Sequence, residues 1–130
     1  MLENKLNMRL LQEKYGVCRL EINEEIPKWA INSQFYSITK TQDELSIVCP
    51  QNNIPSNIKY EADWRILKVE GPLDFSLIGI LSSISNILAN NKISIFAIST
   101  YDTDYILVKD KDIENATKVL SNENYHIIKY

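Results

Sequence analysis

Apolar and polar positions along the chain alternate in two ways, and the change between them divides it near residue 60. In the first part Tyr15–Ile22 (YGVCRLEI) alternates with β-rich residues and predicts a strand. Ile26–Ala30 predicts a single helical turn, with Pro27 at a first-turn position. Phe35–Thr41 and Leu45–Cys49 predict two more strands around the polar break Gln42-Asp43-Glu44. Pro50 and Pro55 bracket a long loop, QNNIPSNIKYEAD, with room for a short helix.

The second part starts with the strand Trp64–Val69, which Gly71-Pro72 breaks. Asp74 is a candidate N-cap, and from Phe75 the apolar residues Phe75, Ile78, Leu81, Ile84, Ile87 and Leu88 recur at helical spacing until Ala89-Asn90-Asn91. Ile93–Ile98 and Asp104–Val108 predict strands. Asp112 is placed to cap a helix with Ile113, Ala116, Val119 and Leu120 on one face, and Tyr125–Ile128 predicts a last strand. The order is β-α-β-β-α-β, the ferredoxin-like pattern. Leu2–Leu11 is amphipathic and reads as a docked helix or a frayed arm.

The two parts read as copies. Ser37–Val48 laid on Ala97–Val108 is a shift of 60 (97 − 37), with Ile38 on Ile98, Thr39 on Ser99 and Glu44 on Asp104. The first copy is shorter, its helix reduced to the turn around Trp29. The predicted division is a degenerate unit over 1–60 and a complete one over 61–130.

Composition narrows the function. The chain has 130 residues, 45% hydrophobic and 24% charged, which is one ordinary domain or two very small ones. Its net charge of −3 argues against a nucleic-acid partner, which needs clustered Lys and Arg. No apolar run approaches a membrane span, and MLENKLNMRLLQEKYG lacks a signal-peptide core, so the expected compartment is the cytoplasm. Cys18 and Cys49 are expected to be buried and reduced. The lone His126 makes no metal cluster. No nucleophile–base pairing, P-loop or dinucleotide fingerprint is present, so neither catalysis nor a cofactor is expected.

Candidate chemistry gathers in two polar turns at the ends of apolar strands, where ligand sites concentrate. In the first, the helix start Asp74, Phe75, Ser76, Gly79 and Ile80 offers backbone N–H groups suited to a carboxylate. Gly79, one turn inside the predicted helix, invites either a ligand's close approach or tight helix–sheet packing. In the second, Ile98, Ser99, Thr100, Asp102 and Asp104 offer strand backbone, hydroxyls and carboxylates. Asp74 and Asp104 could hold an ammonium group. Asp74 reads equally as a helix cap, and Asp102 as ordinary turn chemistry.

The strand WRILKVEG, the turn and helix GPLDFSLIGILSSISNILA, the strand pair ISIFAISTYDTDYILVK and the closing helix and strand resemble the ACT domain family. RLEI, IPKW and FYSITKTQDELSIVCP resemble the first ACT copy of tandem proteins related to eukaryotic cytosolic arginine sensors. The likeness spans residues 10–130. It implies an α+β fold of two ferredoxin-like ACT units in tandem, the first with a truncated helix. It also implies amino-acid sensing without catalysis, at a turn closed by a strand of a neighbouring domain, and hence a homodimer with Ile93–Thr100 near its seam. The alternative is a ligand-free interaction module that uses its sheet edges.

Overall fold

The computed structural model describes residues 6–70 and 79–130. These fall into two compact units, one of Glu13–Trp64 and one that joins the chain start, up to Gln12, to Arg65–Tyr130.

The smaller unit holds β2 (Tyr15–Leu20), β3 (Ser37–Lys40), β4 (Leu45–Pro50) and the first half of β5 (Tyr60–Val69). It is built after β1 (Asn7–Leu10), which belongs to the other unit. The order β3-β4-β2-β5 is the ferredoxin-like order, with antiparallel neighbours throughout. Both helices of that pattern shrink to single 3-10 turns, Lys28–Ala30 after Pro27 and Gln51–Asn53 after Pro50. Cys18, Leu20, Ala30, Leu45, Ile47 and Cys49 form the core, with Trp29, Ile38 and Tyr60 packed against it. A Cβ on Gly16 would press on the Cδ1 end of Ile54 and come within 2.8 Å of the Tyr60 ring, so these side chains would have to shift to admit one. A bulge shifts the β2–β5 register between Tyr15 and Val17. Asp63, at φ 66, lies on the opposing stretch of β5. Its N–H donates to the Gln51 side-chain oxygen at 2.7 Å and its carboxylate accepts from the Gln51 amide at 3.1 Å.

The larger unit continues with the second half of β5, then α1 (Ile80–Asn90), β6 (Ile95–Ser99), β7 (Asp104–Lys109), α2 (Ile113–Asn122) and β8 (His126–Lys129). Its sheet runs β8-β1-β5-β7-β6. The Leu2–Leu11 stretch is therefore neither a docked helix nor an arm where it is described. β1 sits between β5, antiparallel with Met8 opposite Val69, and β8, parallel with Met8 opposite Ile127. Met8 and Leu10 face the core and Asn7 and Arg9 do not, so a strand's period of two buries what looked like part of a helical stripe. The core stacks Met8, Leu10, Leu67, Val69, Ile106 and Val108 beneath Ile84 and Leu88 of α1 and Ile113, Ala116 and Leu120 of α2. Tyr125 donates its hydroxyl to Ser83 of α1 at 2.9 Å.

The internal repeat is real in topology but its register is 59, not 60. The last rung of the β3–β4 hairpin is Lys40–Leu45 and that of β6–β7 is Ser99–Asp104 (99 − 40 = 59). Each turn closes the same way, Thr41 N–H onto Glu44 O at 2.9 Å and Thr100 N–H onto Thr103 O at 2.8 Å. At a shift of 59, core-facing Ile47 and Cys49 fall on core-facing Ile106 and Val108. A shift of 60 would exchange the two faces.

Candidate functional site

The β6–β7 hairpin ends in a closed polar turn. Ser99 and Asp104 are cross-strand partners, and the Ser99 hydroxyl donates to the Asp104 carboxylate at 2.5 Å. That carboxylate makes no other hydrogen bond or ion pair among the described residues, so an oxygen remains to accept from a ligand. Thr100 Oγ1 donates to Thr103 O at 3.1 Å and accepts from Thr103 N–H at 3.3 Å. Tyr101 and Asp102 project from the tip, Tyr101 81% exposed. Asp102 is exposed and has no hydrogen-bond partner among the described residues.

Thr103 is the residue that sequence reasoning missed. It is the one buried polar side chain among the described residues, 5% exposed, and its hydroxyl donates to Val69 O at 2.5 Å. Val69 ends β5, from which the connection to α1 departs. The hairpin end is thus tied to the place where that connection begins. The available signal was the Thr-x-x-Thr spacing, in which one Thr closes the turn and the other is free to bond elsewhere. Glu70, next in the chain, is already paired, with Arg9 at 2.5 Å and Lys68 at 3.8 Å.

The helix start differs from the expectation. Asp74, Phe75 and Ser76 lie outside the described residues. Gly79 is not one turn inside α1 but immediately before it, at φ +83, and its carbonyl accepts from Ser83 N–H at 2.8 Å as the first helical bond. A Cβ added there meets nothing within 4 Å, so close helix–sheet packing does not require the glycine. The left-handed backbone does. Ile80 packs partly against the core, and Ile98 is opposite Tyr105 within the hairpin. Asp112 likewise makes no side-chain cap, because it is the last residue of a 3-10 turn, Asp110–Asp112, that leads into α2.

Among the described residues no three His, Cys, Asp or Glu side chains gather to hold a metal, and no helix is long and apolar enough to cross a membrane. Cys18 and Cys49 are buried free thiols. The hydrogen bond between them, with burial, pushes the Cys18 thiol well above its ordinary range.

A family model for the ACT domain matches residues 59–122, and one for an N-terminal domain matches residues 13–57. The chain belongs to the ACT domain family. It is 33% identical over 103 residues to the human protein CASTOR3P, with 69% of this chain and 63% of that protein covered. It is 28% identical over 101 residues to the bovine cytosolic arginine sensor for mTORC1 subunit 1, with 69% of this chain and 31% of that protein covered. The chain therefore spans less than two thirds of either relative. The crystal structure of protein Atu0741 from Agobacterium tumefaciens superposes with a TM-score of 0.92 at 37% identity, covering 98% of this chain and 96% of that one. The fold is two ferredoxin-like ACT units in tandem, and the bovine relative is by name an arginine sensor.

Proposed function

We propose that this chain is a non-catalytic cytoplasmic regulatory protein that binds an amino acid or similar small zwitterion at the α1 end of its complete ACT unit. The bond from Thr103 to Val69 carries this reading, because it holds Ser99 and the open oxygen of Asp104 beside the start of the β5–α1 connection. In this reading Asp104 accepts the ligand ammonium. The residues leading into α1, Asp74, Phe75, Ser76 and Gly79, with its first residue Ile80, present backbone N–H groups to its carboxylate, with Thr100 and Ile98 alongside. Asp102 adds a carboxylate at the rim. The printed name of the bovine relative, an arginine sensor, supports the ligand class.

Among the described residues β6 pairs with β7 alone, and this edge position supports a symmetric homodimer in which the β6 strands of two chains approach and close each other's sites. The same edge favours the second reading, an interaction module without a ligand. Thermal unfolding against the twenty amino acids separates the two. A ligand at 100 times its dissociation constant adds about 2.7 kcal/mol. Stabilisation by one amino acid, lost in Asp104→Asn, is the expected result. Twenty flat profiles would leave the ligand-free module. Sedimentation with and without that amino acid tests the dimer, and a monomer that binds undiminished would exclude the shared site.

A further inference from the structure

The core of the smaller unit holds two thiols against each other. Cys18 lies opposite Ile47 in the β2–β4 ladder and Cys49 lies opposite Gly16, so the cysteines are diagonal neighbours on adjacent strands. Both turn into the same core, both are free, and the Cys18 S–H donates to the Cys49 sulfur. The chain has no other cysteine.

The cover over this pair is thin. Cys49 corresponds in the repeat to Val108, which packs beneath the helices α1 and α2 of the larger unit. In the smaller unit those helices are the 3-10 turns Lys28–Ala30 and Gln51–Asn53, with Trp29, Ile54 and Tyr60 packed on the core. A single turn opens locally at lower cost than a packed helix. Such an opening admits an oxidant the size of water sooner than a bulky thiol reagent.

A relaxed bond between the two sulfurs requires the backbone to move. Diagonal neighbours on antiparallel strands stand about 7–8 Å apart at Cα, whereas a disulfide spans about 4.4–6.8 Å. The residue able to yield is Gly16, opposite Cys49. It carries no side chain, and the β2–β5 register shifts across it, between Tyr15 and Val17. A disulfide made against strain is readily reduced again.

We infer that Cys18 and Cys49 form a reversible disulfide with hydrogen peroxide as the oxidant, a redox switch that shifts β2 against β4. One sulfur attacks a peroxide oxygen, the O–O bond breaks, and a sulfenic acid forms with release of one water. The second sulfur attacks the first, the S–O bond breaks, and the hydroxyl leaves as a second water with the remaining thiol proton. The two thiols give up two electrons, and the peroxide takes them. Cys49 attacks first, because the hydrogen bond from Cys18 holds its thiol below the ordinary range and favours the thiolate.

Peroxide treatment of the folded full chain tests this, followed by unfolding in urea with iodoacetamide and mass spectrometry. The expected product is a monomer lighter by two hydrogens that takes up no alkyl group, where the untreated chain takes up two. Glutathione is expected to restore both thiols. Amide exchange is expected to change along β2 and β4 and to stay as it was in α1 and α2. Cys18→Ser is expected to stop at a sulfenic acid on Cys49 that dimedone traps, because the resolving thiol is gone. The inference is overturned if excess peroxide leaves both thiols reduced, takes them separately to sulfinic acids, or joins two chains. It is also overturned if glutathione leaves the bond intact or if amide exchange in β2 and β4 is unmoved, since either result makes the bond a relaxed staple.

Discussion

Thr103 and Val69, 34 residues apart, are joined by a buried hydrogen bond of 2.5 Å from hydroxyl to carbonyl. It anchors the hairpin tip to the end of β5 from inside the protein, while its neighbours Tyr101 and Asp102 stay in solvent. Replacing Thr103 by Val keeps the shape and strands the Val69 carbonyl. The expected loss is about 1–3 kcal/mol in urea unfolding, with Thr103→Ser close to the parent. Equal stability of Thr103→Val and the parent would mean that the tip is held by its turn alone.

Gly79 is expected to tolerate size but not chirality. Gly79→Ala should cost about 1 kcal/mol for a left-handed backbone, and Gly79→Asn less. If the amino-acid site lies at this helix start, Gly79→Leu should weaken binding by more than its stability loss explains. Comparing binding in Gly79→Ala and Gly79→Leu separates the two effects.

Gly16 should show the opposite behaviour. Its backbone is ordinary, but a methyl group would press on Ile54 and the Tyr60 ring. Gly16→Ala should destabilise by about 1–3 kcal/mol through overpacking. Shortening Ile54 to Val in the same chain should recover part of that, and the double-mutant cycle reads the coupling.

The raised Cys18 thiol gives a pH signature. Its ordinary value is 9.0, and in the fold it lies higher. Below pH 9 the contribution is fully present. Above it the unfolded chain ionises Cys18 while the folded one keeps its proton, so stability falls with rising pH. Chemical unfolding of the reduced protein from pH 8 upward should show this decline, and Cys18→Val should flatten it. The folded protein should also react slowly with thiol reagents at neutral pH.

What the sequence determined by itself was the elements other than β1 and the first half of β5, which it read as part of a loop, and the fold they make. Periods of 3.6 and 2 are written in Ile84, Leu88 and Leu120 and in Leu67, Val69, Ile106 and Val108, because each element must turn one face to a core. The places of the two hairpin turns were equally legible as polar breaks between apolar strands, while their closure by the Thr41 and Thr100 hydroxyls was not read. Tertiary structure decided the rest. Four residues, Asn7–Leu10, fit a helix or a strand equally well until β5 and β8 supply partners on both sides. A repeat compared by residue type alone drifts by one position, and only cross-strand pairing sets it at Lys40–Leu45 and Ser99–Asp104. Gly79 fits inside a helical stripe by spacing, and its positive φ, a property of the backbone path, puts it outside. Thr103 looked like one more polar turn residue, and what distinguishes it is its bond to the Val69 carbonyl 34 residues away, brought to it by the packing of β7 beside β5.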